Sequence, residues 1–513
     1  MKTTPIMPSL AYTTLGRDTN QARGLAKCAL EFLAASADGP DEAVYQKVEH
    51  FHLDSVACAV SAIGYGCNAP VVLRREALEY RVSDPQSGVP CFGSSVRVMP
   101  EKAVAANCSA VREWDANGTN FGYNPRLGHT RGEFGHNDFY PVVVAAAQQR
   151  GLNGRQTLRA MILVDEIRGR LAEVFALRAY KIDHVLHGAI GSAVVYGAIL
   201  GASVDQIESA VGLVVSHYVP FRAIRAGEQL SDSKGASAAL SAEVAVLSVH
   251  RAMRGFVGPA DIFRNPEAIF CLFEKPARRG ESPFDLVLAT SGSDFAVMGM
   301  HFKLGLYEHQ SAGAIGGLIE LLSRNPDLLD DPAKLNRIEI TIYEPAFSII
   351  GDPAKRDPTT RQSADHSMVY IIATLLRKAY ASRRASWEEL MLMPEDYSPA
   401  ALVNPQTREL ITKIEFRHGG PQYDAKYPDG IPTSLTIEHA DLGRLESGLV
   451  MYPPGHARNS TADLAALLKQ KFHRLAALGV RDTEALYARF STLTKKSADE
   501  VLSLYDFEIE TSK

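Results

Sequence analysis

Residues 114–138, WDANGTNFGYNPRLGHTRGEFGHND, form the most polar irregular stretch of the chain and lie between two helical stretches. They set Asp115, Asn117, Thr119, His129, Glu133 and His136 on loop-like sequence. Loops on a rigid scaffold commonly present catalytic groups, and this set offers carboxylates, an amide, a hydroxyl and imidazoles for proton transfer and hydrogen bonding. The competing reading is a solvated loop whose Asn and Gly residues simply make turns.

A second cluster is FRAIRAGEQLSDSKGAS, where Arg222 and Arg225 share a face if the segment is helical and Lys234 stands near the start of the next helix. Arginine forks bind carboxylates bidentately, and a helix start adds potential favourable to anions. Surface ion pairing is the ordinary fate of such residues. A third is YEHQSAG, which puts His309 near a change in sequence character, where a proton-exchanging imidazole would face an interdomain cleft. A structural, hydrogen-bonded histidine is the alternative there. The pairs His50/His52 and His184/His187 lack a third-ligand pattern such as HExxH, so no metal is expected. The chain has no Walker loop, no GxGxxG after a strand and no GxSxG elbow, which argues against nucleotide-dependent and serine-hydrolase chemistry.

The elements that must hold these groups follow from patterning. Apolar residues recur at helical spacing from about Ala22 to Arg254, for example in DEAVYQKVEHFHLDSVACAVSAI, EKAVAANCSAVREW, RQTLRAMILVDEIRGRLAEVFALRAY and KGASAALSAEVAVLSVHRAMRG. After roughly Gly299 alternating stretches, NRIEITIYE, ELITKIEFRH, SLTIEH and SGLVMYP, read as strands, with a helix near SADHSMVYIIATLLRKAY. Helical patterning returns from Asn459 in STADLAALLKQKFHRLAALG, DTEALYARFSTL and SADEVLSLYDF. The expected fold is mainly α with an α+β part: a large all-helical domain over 1–298, a smaller α/β lid over 299–445, and a return to the helical domain over 446–513.

With 513 residues, 46% hydrophobic and 22% charged, the chain has material for more than one domain. Lys+Arg of 54 against Asp+Glu of 59 leaves a net charge of −5, so no overall basic field exists for nucleic acid or an anionic membrane. An anionic substrate must be held by locally placed cations. The six cysteines show no CxxC spacing and read as reduced core residues. The first residues lack a secretory apolar stretch, and the uncharged segment 188–204 is short and interrupted by glycines, so a cytoplasmic protein without membrane spans is expected.

Taken in order, these segments resemble the MmgE/PrpD family, which includes 2-methylcitrate dehydratase and cis-aconitate decarboxylase. WDANGT resembles the family's W-x-D-x-N-D-T with Asp115, Asn117 and Thr119 at their mutual spacing, and Glu133-Phe134-Gly135-His136 resembles E-W-G-H-P-S-D-N. Asp183-His184-Val185-Leu186 is similar to L-D-H-V-L, with an Ala-rich helix following. Arg222, Arg225 and Lys234 match R-x-x-R and the downstream S-R-K in type and spacing, His309 falls at the start of the lid, and YPPGHAR is similar to YPIGHAR. Collinear order carries the resemblance. The chain departs from the pattern where G-H-P-S-D-N becomes His136-Asn137-Asp138-Phe139, where S-R-K-S-W becomes Ser231-Asp232-Ser233-Lys234-Gly235, and in a longer loop over 120–131. Substrate discrimination would reside in those places.

The resemblance implies a cytosolic lyase without metal or other cofactor, a homodimer built through the helical domain, and elimination of water from 2-methylcitrate or a related tricarboxylate. It makes Asp115, His136, Lys234 and His309 the expected catalytic residues and Asn117, Thr119, Arg222 and Arg225 the expected substrate-binding ones. His136 and His309 are candidates for the acid–base pair, Asp115 would orient or act as the base, Asn117 and Thr119 would hydrogen-bond the hydroxyl or a carboxylate, and the three cations would hold carboxylates. Rival readings are decarboxylation of cis-aconitate, isomerisation or epimerisation of another polycarboxylate, and an inert polycarboxylate-binding protein.

Overall fold

The structure is a computed structural model describing residues 11–35, 39–84, 87–225 and 229–511. Among the described residues nine longer helices build the first part: α1 (Gln21–Ala34), α2 (Glu42–Gly64), α3 (Asn68–Glu79), α4 (Pro100–Arg112), α5 (Tyr140–Arg150), α6 (Gly154–Val174), α7 (Val185–Leu200), α8 (Val204–His217) and α9 (Ser233–Met253). The abundant Ala and Gly of α4, α7 and α9 let these helices approach closely, and α9 packs on α4, α7 and α8. At Gly188 of α7 an added Cβ would lie 2.0 Å from the Phe139 ring, so the helix crossing itself requires glycine. Among the described residues no single helix is long and apolar enough to cross a membrane.

Helix α6 carries buried charge, which is tolerable only where each charge is paired. Arg168 pairs with Asp165 at 2.7 Å, and Arg170 holds Glu166 at 2.7 Å and Glu173 at 2.9 Å. Glu166 also accepts from the backbone N–H groups of Ala289 and Ala296, both at 2.6 Å, tying the start of the second half of the chain to the helical part.

Short strand pairs interrupt the helices expected to be alone there: β1 (Ala11–Leu15), β2 (Val89–Pro90), β3 (Arg97–Val98), β4 (Thr119–Phe121), β5 (Glu133–His136) and β6 (Leu286–Ser291). Strand β1 pairs with β6, a long-range match that local periodicity does not reveal.

The α/β unit centres on β7 (Leu335–Ile342), β8 (Ile414–His418), β9 (Ser434–His439) and β10 (Gly443–Glu446), in the order β10-β9-β7-β8. Strand β7 is parallel to β8 and antiparallel to β9, aligning Ile338 with Ile414 and Ile437 and Ile340 with Phe416 and Leu435. The helix Ala312–Arg324 covers β9, and the helix Met368–Ser382 packs beside it. SGLVMYP, expected as a strand, makes only an isolated bridge, Val450 to Thr433. Gly448 stands at φ 72° and turns the chain, while the real partner of β9 is the polar GRLE segment of β10. The chain then returns through the helix Leu464–Ala476, which packs on α2.

Two fully buried histidines, His52 of α2 and His187 of α7, have both ring nitrogens unpartnered. Burial lowers His52 to about 4, and burial with nearby Arg168 lowers His187 to about 3. A neutral folded histidine opposes an unfolded one that protonates near 6.5, so the stability it contributes is present above pH 6.5 and is lost as pH falls toward the folded value. For His187→Leu, the stability gap between pH 7.5 and pH 5 is expected to shrink by about 2 kcal/mol, measured by urea unfolding at both pH values. An unchanged gap would show that His187 protonates equally in both states.

Candidate active site

A cavity lies where the helical part meets the α/β unit. Its walls include Arg112, Asp115, Thr119, Phe134, His136, His184, Arg222, Arg225, Lys303, His309, Lys355 and His366.

The turn after α4 places the first of these. Arg112 ends the helix, and Asp115 follows within WDANGT, whose Gly118 occupies a position where a Cβ would fall 2.3 Å from the Phe51 ring. Strands β4 and β5 then pair Thr119 with His136, bringing that hydroxyl and imidazole residue side by side. The backbone of His301 extends this hairpin, exchanging hydrogen bonds of 2.9 Å in both directions with Thr119. Two residues later, Lys303 hydrogen-bonds Asp115. Lys471, from the C-terminal helix, supports the turn from behind: its ammonium donates to Asp54 at 2.6 Å, to the Ala116 carbonyl and to the Lys303 carbonyl at 2.8 Å.

Asp115 is thereby the hub of a buried ionic network. Besides Lys303 it faces Arg112 at 3.4 Å, His366 Nε2 at 3.0 Å and Lys234 at 3.8 Å. Burial alone would raise its carboxyl, but Lys303, Arg112, His366 and Lys234 outweigh that and hold it well below the ordinary carboxylate range. The second carboxylate, Asp365, accepts from Lys234 at 2.7 Å and lies 2.7 Å from His366 Nδ1. Its backbone carbonyl receives the Glu308 N–H at 2.9 Å, fixing the segment before His309. Asp115, Asp365 and His366 are, among the described residues, the group whose spacing could hold a metal. The ammonium and guanidinium groups of Lys303, Lys234 and Arg112 already neutralise that carboxylate pair, so its charge is balanced from within the chain.

His136 lies 3.3 Å from Arg112 through Nε2. Arginine only donates, so Nε2 accepts and the proton resides on Nδ1, which has no partner in the protein. Burial, Arg112 and Lys303 together hold this imidazole well below its ordinary value, keeping it neutral. His309 is also buried with both nitrogens unpartnered, and burial with His456 and Lys303 lowers it well below 6.5. Its ring stacks on His301 with centroids 4.9 Å apart, and His301 in turn stacks on His456 at 3.9 Å.

The remaining expected site residues divide. Thr119 lines the cavity with its buried hydroxyl oxygen free of partners. Asn117 does not line it: its amide donates to Asp138, which in turn faces Arg112 at 3.8 Å, so it acts on the Arg112–His136 pair from behind. Lys234, in the first turn of α9, also stands behind the wall, on Asp365. Arg222 and Arg225 occupy a single 3-10 turn rather than a longer helix. Arg225 is taken up by Asp183 and by Ser237 at 3.1 Å, whereas Arg222 has no carboxylate within ion-pair distance among the described residues. Glu133 is fully buried and accepts from the N–H groups of Phe134 and Arg178, and burial raises its carboxyl to about 7.

Sequence reading did not single out Arg112, Lys303, Asp365 or His366. Lys303 is the lone charge in the apolar run AVMGMHFKLGLY, and Asp365-His366 repeats the Asp-His pairing of residues 183 and 184, signals that would have found them.

Residues 29–279 match the MmgE/PrpD N-terminal domain and residues 307–489 match the MmgE/PrpD C-terminal domain. The chain belongs to the MmgE/PrpD family. It is 24% identical to 2-methylcitrate dehydratase of Salmonella typhi over 440 residues, covering 83% of this chain and 85% of that protein. It is likewise 24% identical to 2-methylcitrate dehydratase of Escherichia coli strain K12 over 431 residues, covering 81% and 82%. Alkylcitrate dehydratase phiI of Fungal sp. (strain ATCC 74256) is 23% identical over 463 residues, covering 87% and 86%. These relatives support a citrate-type dehydratase on the mainly helical, two-domain MmgE/PrpD fold.

Proposed function

We propose that this MmgE/PrpD protein is a hydro-lyase that eliminates water from 2-methylcitrate, giving 2-methyl-cis-aconitate, without a metal. The observation that carries the reading is a pair of neutral histidines, His136 with its Nδ1 free and His309 with both ring nitrogens free, lining a cavity whose other charged lining is mostly cationic. A tricarboxylate brings the negative charge that such a cavity lacks.

Elimination removes a proton from the carbon next to one carboxylate and expels hydroxide from the adjacent carbon. The electron pair left by the proton builds charge on that carboxylate before the carbon–carbon double bond forms, and preorganised cations lower the cost of that charge. Arg222 and Lys355 are the lining cations without carboxylate partners among the described residues, and they receive the substrate carboxylates. His136 carries its proton on Nδ1 and delivers it to the departing hydroxyl, which leaves as water, while Arg112 at Nε2 offsets the imidazolate charge left on the ring until the proton taken up at His309 is returned to it through solvent. His309, neutral and with free nitrogens, takes the carbon-bound proton, and a bound trianion raises its affinity for that proton. Asp115 keeps its charge and orders Lys303, Arg112 and His366. Thr119 donates a hydrogen bond to a substrate oxygen.

The test incubates chelator-treated protein with 2-methylcitrate, citrate and cis-aconitate, following ultraviolet absorbance of unsaturated product and release of carbon dioxide. Unsaturated product from 2-methylcitrate without carbon dioxide is expected, and Arg222→Ala is expected to lower kcat/KM by roughly tenfold to a hundredfold, as for loss of a charged hydrogen bond. Carbon dioxide from cis-aconitate, or silence on all three compounds, would overturn the reading.

A further inference from the structure

Outside the cavity lies an open cleft of about 1120 Å³ walled by Arg131, Phe134, Ala176, Arg178, Ala179, Lys181, Arg222 and Ile349. Phe134, Arg222 and Ile349 belong to both walls, so the cleft and the cavity adjoin. The cleft carries four cations on a largely apolar floor, in a protein whose overall charge is −5. Among the described residues, the carboxylates within ion-pair distance of them are Glu274, on Arg131, and Glu133, on Arg178. Glu274 is occupied, accepting from Arg131 at 3.0 Å and from the Tyr180 hydroxyl at 2.8 Å. Glu133 is buried beneath the rim and sits 4.0 Å from Arg178, whose guanidinium also lies over the Phe134 ring at 5.4 Å. Lys181 is exposed and, like Arg222, has no carboxylate within ion-pair distance among the described residues.

We propose that this cleft is the entrance of the cavity and an outer anion site, where Arg178 and Lys181 capture a polycarboxylate and pass it to Arg222. The assignment rests on the dehydratase reading for the identity of the natural ligand, but the capture of polyanions stands on the cleft itself. Clefts lined by one sign of charge between low-dielectric walls concentrate counter-charged ligands and speed their arrival, an effect that salt screens. Arg222 faces both spaces and is the handover point. Its neighbours in the turn cannot substitute for it, since Arg225 is held by Asp183.

Tricarballylate, which has no hydroxyl to eliminate, serves as the probe, with binding to the full-length protein followed by titration calorimetry across a sodium chloride series. In Arg178→Gln/Lys181→Gln the Kd at low salt is expected to rise about tenfold, with a shallower dependence of log Kd on log salt and convergence with the wild type at high salt. Lys181→Gln alone, at an exposed position, is expected to show part of the same shift should the double variant fold poorly. Where 2-methylcitrate is turned over, kcat/KM falls in parallel and kcat does not. Equal Kd and salt slope in variant and wild type, a difference that persists at high salt, or no binding by the wild type would each overturn the entrance site. Retained salt-dependent binding without turnover of any tricarboxylate would leave this inference standing and remove the dehydratase reading.

Discussion

In His136→Gln, kcat on 2-methylcitrate is expected to fall by about 10²- to 10⁴-fold, the usual contribution of a positioned acid–base group, while the melting temperature stays near that of the wild type. Glutamine can still accept from Arg112 through its carbonyl oxygen and fill most of the ring's space, so the Asp138–Arg112 contact behind it survives. What disappears is the proton on a ring nitrogen that otherwise has no partner in the protein. Because the lesion is in proton delivery rather than charge recognition, KM should change much less than kcat. Steady-state kinetics beside a thermal melt tests this. A folded variant turning over at near the wild-type rate would exclude His136 as the acid, and a loss confined to KM would make it a binding group.

The second large effect is on folding as well as activity. Asp115→Asn removes the one charge that faces Lys303, Arg112, Lys234 and His366 together, leaving Lys303 buried without a carboxylate partner among the described residues and the others with only Asp138 or Asp365. Breaking such a network from one side costs about 3–5 kcal/mol. A marked drop in the urea midpoint is therefore expected, together with loss of turnover as Lys303 and Arg112 lose their anchor. Removing both ends of one contact is less damaging, since the orphaned charge goes too, so Asp115→Asn/Lys303→Met should be more stable than Asp115→Asn alone. A single variant as stable as the wild type, or a double variant worse than the single by the full additive cost, would show that Asp115 does not balance these cations.

Some of this site is written in local sequence. Asp115, Thr119 and His136 come from one polar stretch between two apolar helices, and a β-hairpin of that stretch is enough to set Thr119 beside His136. Arg222, Arg225 and Lys234 are likewise close in sequence, though their roles diverge once Asp183 and Asp365 claim two of them. Helix periodicity gives the helices of the first half because each buries one continuous face, a property of residues three and four apart. The same reasoning fails at SGLVMYP, where apolar composition imitates a strand but Gly448 at φ 72° breaks it, and at GRLE, whose edge position needs no apolar alternation.

What the chain determines by itself is therefore its class of fold, the helical scaffold with an α/β unit toward its C-terminal side, and the polar loop that carries Asp115 and His136. Tertiary structure alone decided the electrostatics. Lys303, Asp365 and His366 are 188, 250 and 251 residues from Asp115 in sequence, and no local pattern links them. Only when His301 pairs with Thr119, Glu308 binds the Asp365 backbone and Lys471 clamps Ala116 and Lys303 from behind do these charges meet away from water. There burial strengthens every interaction, so that the same side chains, ordinary if exposed, hold Asp115 ionised and His136 and His309 neutral.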